Sequence, residues 1–273
     1  MLIARVLTAI ALLAVLIPVV FAGQVWLWGV VSLALLVIAF GEWSRLVAGA
    51  KPSLVEFSAV LVCGLALISV LPHGGLPQPL LIAVCFPAGL FWLIEAPRRL
   101  RAHQATMGRR TLAVWLLAAC WIALYQLRGQ GAAVLVAAMA IVWVADIAAY
   151  FAGRAFGRHK LAPTISPGKS WEGAVAGMVG VAVLGVWSAS WPGVSDTLPA
   201  LLVNRLGGWM AALVLVLLAG LSIVGDLYES LLKRQAGVKD SGRLLPGHGG
   251  ALDRIDALIP TMPVVALLHE LLR

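Results

Sequence analysis

The sequence predicts an all-α, polytopic integral membrane protein of about nine transmembrane helices, with its N-terminus cytoplasmic and its C-terminus outside. Three observations predict this. The 273 residues are 62% hydrophobic and only 12% charged, with a mean hydropathy of +0.98, whereas soluble domains carry about 25% charged residues. Apolar runs of near-spanning length recur along the chain and are continuous rather than alternating, which favours helices over a β-barrel. The basic residues sort by loop parity, as the positive-inside rule requires.

The runs fall at 6–22, 25–42, 54–72, 79–95, 111–127, 132–152, 172–191, 208–232 and 255–272. The first follows Met1–Arg5 and could pass for a signal peptide. It lacks a clean small-residue cleavage site and another run follows at once, so it is expected to be a retained helix. Cys63, Cys85 and Cys120 all lie inside apolar runs without a CxxC pair, which argues against a zinc site or a disulfide framework. No linker or low-complexity stretch divides the chain. We read 1–273 as one membrane domain, with 1–130 a generic helical bundle and 131–273 the catalytic helices and loops. Gly173 and Gly177, one turn apart on the seventh run, suit close helix packing.

The even-numbered loops and the N-terminus hold Arg5, Arg45, Lys51, Arg98, Arg99, Arg101, Arg109, Arg110, Arg154, Arg158, Lys160, Lys169, Lys233, Arg234, Lys239, Arg243 and Arg254. The opposite side holds only Arg128, Arg205 and Arg273. This split requires an odd number of spans and puts the polar loops 153–171 and 233–254 together on the cytoplasmic face. The net charge of +8 therefore reads as topology signal and anionic headgroups or substrates, not nucleic acid.

Three carboxylates sit deep in apolar runs: Asp146, Asp226 and Glu229. A carboxylate at the centre of a bilayer costs about 2.5–3.5 kcal/mol even on lenient scales, so each needs a wet cavity, a cation or a basic partner. Glu229 has Lys233 four residues on, in the favourable order for an intrahelical pair. Asp226, Ser230 and Lys233 share one helical face, an arrangement suited to a metal-phosphate site. Glu42, Glu56, Glu95 and Glu270 lie near run ends and read as ordinary interfacial carboxylates.

Loop 153–171 combines Lys160, Ser166, Gly168, Lys169 and Ser170. Glycines free backbone amides for phosphate oxygens, and lysines neutralise them. Gly168-Lys169-Ser170 is not a P-loop, because Pro163 stands where that motif needs glycine. Ser170 is a candidate cap for the helix starting near Glu172. The second loop carries Pro246-Gly247-His248-Gly249-Gly250, a tight turn leading to Asp253 and Asp256. Two carboxylates on the first turn of the last run could hold a hard divalent cation, with substrate phosphates completing its shell. The competing reading is dipole complementation at a helix start. His248 reads more readily as a turn residue than as a general base.

At these residues the sequence resembles the phosphatidate cytidylyltransferase, or CDP-diacylglycerol synthase, family. Its C-terminal signature is met at Ser230, Lys233, Arg234, Lys239, Asp240, Pro246, His248, Gly249, Gly250, Asp253, Arg254 and Asp256. The likeness reaches upstream through Asp146, loop 166–173 and Gly225-Asp226. Ala251 stands where a larger aliphatic is usual, and Gly168 where the family tends to have a second lysine. The resemblance implies transfer of CMP from CTP to phosphatidic acid, giving CDP-diacylglycerol and pyrophosphate for phospholipid biosynthesis. It implies Mg2+ with a second, monovalent cation such as K+, and a homodimer.

Under this reading Asp226, Asp253 and Asp256 are the expected metal ligands. Lys233, Arg234, Lys239 and Arg254 hold the triphosphate, helped by backbone amides at Gly249 and Gly250. Lys160, Lys169 and Ser170 contact the lipid phosphate or the nucleotide, and Ser166, Ser230, Asp240 and His248 complete the expected substrate-binding set. The expected location is a bacterial cytoplasmic (inner) membrane, with the site on its cytoplasmic face. Two alternatives stand beside it. A CTP-dependent polyprenol or phytol kinase would transfer the γ-phosphate to an alcohol. An ion-coupled transporter would use Asp146, Asp226 and Glu229 as a path, although the polar residues crowd one membrane face.

Overall fold

A computed structural model describes residues 2–21, 24–49, 52–105, 110–242, 244 and 249–273. The helices α1 (Leu2–Phe21), α2 (Val25–Ala48), α3 (Leu54–Val70) and α4 (Gln78–Leu90) come first. A π-helical turn, Phe91–Glu95, carries α4 into α5 (Ala96–Ala102). Then follow α6 (Arg110–Gln130), α7 (Ala132–Phe156), strands β1 (Lys160–Ala162) and β2 (Ser166–Ser170), and α8 (Trp171–Ser188). The chain ends with α9 (Leu198–Leu206), α10 (Gly208–Gln235), α11 (Leu252–Ile255) and α12 (Leu258–Leu272). Among the described residues six helices are long and apolar enough to cross a membrane: α2, the α4–α5 unit, α6, α7, α8 and α10. Helices α3 and α12 are apolar but shorter.

Local chemistry sets several ends. Ser53 and Glu56 form a reciprocal capping box on α3, with the Glu56 amide donating to Ser53 Oγ at 3.2 Å and the Ser53 amide to Glu56 Oε2 at 2.7 Å. Helix α2 runs six residues past the expected end at 42 and stops where Gly49 turns left-handed, at φ 67°. The expected cap is realised on α8, where Ser170 Oγ accepts from the Gly173 amide at 3.2 Å.

Three features depart from the sequence reading. Loop 153–171 contains an antiparallel hairpin in which Lys160 faces Ser170 and Ala162 faces Ser166. It is pinned to the bundle by buried Ile165. Helix α9 was not expected, because nine residues ending at Leu206 and capped by Gly207 fall below the length of a spanning run. The expected last run, 255–272, is also divided. Asp253 lies in the four-residue α11 and Asp256 caps its end, so neither sits on the first turn of α12.

The core lies around α6, which packs against α2, α7 and α12, while α12 also packs on α4 and α10. Helices α7 and α8 pair closely because Gly173 and Gly177 face the carbonyls of Ala149 and Ala145. An added Cβ would stand 2.7 Å from each oxygen. The C-terminal part of α10 is fixed by an aromatic knot. Tyr228 meets Trp92, Phe91 and Trp43 with centroids 5.3, 6.0 and 6.2 Å away, and its hydroxyl donates to the Ala105 carbonyl at 3.1 Å.

Candidate functional site

Helices α7, α8 and α10 and the hairpin enclose a cavity of about 360 Å3, lined by Asp146, Arg154, Lys169, Ser170 and Asp226 among others. Its walls are mostly small residues: Ala145, Ala149, Gly153, Gly173, Ala174 and Gly177. The glycine contact that lets α7 and α8 approach therefore also leaves space beside the two carboxylates. Lys169, delivered by β2, forms an ion pair with Asp226 Oδ2. Ser230 Oγ donates to Asp226 Oδ1 at 3.3 Å, one turn further along α10.

Lys233 leaves the expected face and turns to a second cluster. Its ammonium contacts Glu229 Oε2 at 2.5 Å and Asp253 Oδ1 at 2.7 Å. The intrahelical Glu229–Lys233 pair expected from the spacing is thus present. Glu229 is 3% exposed, and the Lys233 ammonium is its close partner. Asp253 Oδ2 accepts from the Gly250 amide at 2.8 Å and from the Ser241 amide at 3.0 Å, and it lies 3.0 Å from the Ser241 hydroxyl oxygen. Burial would raise the Asp253 carboxyl, but these donors and the Lys233 ammonium prevail and hold it at about 2.

Asp256 is in a different state. Burial first, and the nearby charge of Asp226 second, push its carboxyl well above the usual range. Its Oδ1 accepts from the Ala257 amide at 2.8 Å, and it joins no ion pair among the described residues. Gly225 makes this proximity possible. A Cβ there would stand 2.6 and 2.8 Å from Pro260 Cγ and Cδ and against the Asp256 carbonyl, so α10 approaches the α11–α12 junction only through a glycine.

The expectation that three aspartates converge on one ion needs revision. Among the described residues no three Asp, Glu, His or Cys side chains gather as a ready metal site. Asp253 is the one that departs, because the Gly250 and Ser241 amides and the Lys233 ammonium already occupy its two oxygens. Asp226 and Asp256 remain a suitable pair for Mg2+, which takes one or two carboxylates and fills its shell with water and phosphate. The like charges of Asp256 and the part-exposed Asp226 are a donor set that a divalent cation would relieve.

The other expected residues are dispersed. Arg234 Nε donates to the Ile165 carbonyl at 3.2 Å and Nη1 to the Val238 carbonyl at 3.4 Å, tying the hairpin tip to the second loop. Lys239 and Asp240 are exposed, and Ser166 is half-buried at the start of β2. Lys160 does not line the 360 Å3 cavity. It lines an open groove on the other side of α8 with Arg158, His159 and Trp171. Arg254 lines an apolar cavity of about 190 Å3 with Trp28, Trp121 and Trp143. Gly249, at φ 82°, and Gly250 lie against Asp253 and Glu42. His248, with Pro246 and Gly247, lies outside the described residues.

Glu42 was misread. It is not an interfacial carboxylate but is 5% exposed. It accepts from Ser241 Oγ at 2.9 Å, the Ala251 amide at 3.2 Å and the Leu252 amide at 2.8 Å. A signal existed, since Glu42 is the only charged residue between 25 and 44. Nothing local, however, revealed a partner some 200 positions away. Ser241 was missed for the same reason.

The model of the cytidylyltransferase family matches residues 3–272. The chain is 37% identical over 272 residues to the phosphatidate cytidylyltransferase of Pseudomonas aeruginosa, covering 97% of this chain and 95% of the relative. It is 36% identical over 271 residues to that of Brucella suis, covering 96% and 91%. Against the Haemophilus influenzae phosphatidate cytidylyltransferase, identity is 46% over 123 residues, 45% of this chain and 41% of the relative.

Proposed function

The chain belongs to the cytidylyltransferase family, and from that membership we propose that it transfers CMP from CTP to phosphatidate. The products are CDP-diacylglycerol and pyrophosphate. The observation that carries this is the match to phosphatidate cytidylyltransferases over nearly the full length of both chains.

A phosphate oxygen of phosphatidate attacks the α-phosphorus of CTP, forming one P–O bond as the α–β bridge breaks and pyrophosphate leaves. The second pKa of a phosphate monoester lies at about 6, so the nucleophile is largely ionised at neutral pH and needs no strong base. The chain must instead offset the repulsion between two anions and align them. Lys169, beside Asp226 in the small-walled cavity, is the first cation suited to this. Lys233 is the second, held between Glu229 and Asp253. Arg234, Lys239 and Arg254 contribute positive potential around the second loop. The Gly250 amide, expected to assist them, is instead taken by Asp253 Oδ2 at 2.8 Å.

Asp226 and Asp256 are the proposed holders of Mg2+, which when bound supplies charge neutralisation at the nucleotide phosphates. Their adjacency, and the elevated affinity of Asp256 for a proton, support this. Asp253 keeps Lys233 and the glycine turn in register. The parity of the basic residues supports nine spans, a cytoplasmic N-terminus and a site on the inner face of a bacterial inner membrane.

Membranes carrying the chain, given phosphatidate and CTP labelled at the α- or γ-phosphate, test the activity. Label from the α-position should enter lipid while pyrophosphate is released. Incorporation of γ-label instead would assign a kinase, and incorporation of neither would remove the proposal.

A further inference from the structure

We infer that Glu42, on α2 in the N-terminal half, is the positioning residue that presets the turn carrying Gly249, Gly250 and Asp253. This inference rests on the CMP-transfer reading for its kinetic consequence but not for its structural one. Three donors from the second loop converge on the one carboxylate: Ser241 Oγ, Ala251 N and Leu252 N. The last two are consecutive backbone amides at the start of α11, one on each carboxylate oxygen. A residue with only one acceptor atom cannot reproduce that fork.

The surroundings are built for close contact. Gly242 and Gly250 both lie where any Cβ would meet the Glu42 carboxylate, so the loop closes onto it from two sides. Ser241 then joins Glu42 to Asp253, its hydroxyl lying 2.9 Å from Glu42 Oε2 and 3.0 Å from Asp253 Oδ2. Asp253 in turn contacts Lys233. A continuous polar chain therefore runs from α2 through the turn to a cation of the site. Glu42 contacts no lining residue of the 360 Å3 cavity and acts on it only through this chain. A buried carboxylate in an apolar helix is costly, and accepting two amides and a hydroxyl is what offsets that cost.

The test compares Glu42→Ala, Glu42→Gln and Ser241→Ala in the detergent-solubilised full chain, by two readouts. In hydrogen exchange, peptides covering 241–252 should exchange about tenfold faster or more in Glu42→Ala, while α6 and α12 keep their protection. In kinetics, kcat should fall about a hundredfold, as for a misplacement near 1 Å, while the KM for phosphatidate stays unchanged. Glu42→Gln, which keeps one acceptor, should recover part of both effects. Glu42→Ala combined with Ser241→Ala should lose less than the product of the single losses. Unchanged exchange over 241–252 overturns the inference. So does loss of protection throughout the bundle, or additive single losses. The exchange measurement needs no turnover. An inactive wild-type chain would count against the proposed activity, while protection of the turn still decides the role of Glu42.

Discussion

Replacing Gly225 with alanine tests whether the approach of α10 to the α11–α12 junction creates the site. The added carbon would lie 2.6 and 2.8 Å from Pro260 Cγ and Cδ and would press on the Asp256 carbonyl. Neither obstacle is a flexible side-chain end, since one is a proline ring and the other is backbone. Ordinary carbon contacts need about 3.5–4.0 Å, so the elements must part by about 1 Å. Strain of this kind costs about 1–3 kcal/mol of stability. The same shift separates Asp226 from Asp256 and should lower kcat about a hundredfold. Gly220→Ala, on the same helix, supplies the control. Its added carbon would meet only Met178 Cε at 3.7 Å, an ordinary contact, and alanine should favour the helix by about 1 kcal/mol. The assay is transfer of α-labelled CMP into lipid across a Mg2+ titration, with thermal unfolding measured in parallel. Gly225→Ala should turn over slowly and require more Mg2+, while Gly220→Ala matches the parent. If Gly225→Ala kept parental turnover and Mg2+ dependence, the claim that this contact sets the carboxylate pair would be wrong.

Further outcomes follow from the same geometry. Asp226→Asn should abolish measurable CMP transfer and leave Lys169 without its ion-pair partner, whereas Asp196→Asn, on an exposed side chain outside the site, should retain most activity; initial rates decide between them. Gly177→Leu should separate α7 from α8, because even a Cβ stands 2.7 Å from the Ala145 carbonyl; a fall in thermal stability of the order of 1–3 kcal/mol is expected. Asp253, held at about 2 against an ordinary 3.8, contributes stability that is present above the ordinary value. That contribution is lost as pH falls toward 2, so Asp253→Asn should flatten the acid limb of a stability–pH curve. The raised Asp256 carboxyl works in the opposite sense: its contribution is present at low pH and lost as pH rises through its folded value. Added Mg2+ should therefore raise the unfolding temperature more at alkaline than at acid pH, and chelation should remove the increment.

How much of this was legible in the residues varies by element. Helices α6, α7, α8 and α10 follow from apolar runs long enough to span, because backbone groups in hydrocarbon must bond within their own segment. The Ser170 cap and the Glu229–Lys233 pair were equally readable, since both partners lie within four positions and one helical turn brings them together. Asp226 announced itself as a charge where charge is costly, and Asp256 by its spacing from Asp253 after the glycine turn. The hairpin over 160–170 did not, because short strands with proline and glycine carry no periodicity. Nor did the break of the last helix at Asp256, because no glycine or proline stands between Leu252 and Ile259 to mark it.

What the amino-acid order determines alone is therefore the class of solvent, the approximate helices and the chemistry gathered near the C-terminal loop. Local forces, set by neighbours a few positions apart, suffice for these. The tertiary structure decides which acid does what: Lys169 meets Asp226, Lys233 turns to Asp253, and Glu42 comes from across the bundle to close the turn. Those assignments depend on distances between elements far apart in the chain, and glycine contacts at Gly173, Gly225 and Gly250 set them through the space a missing side chain leaves.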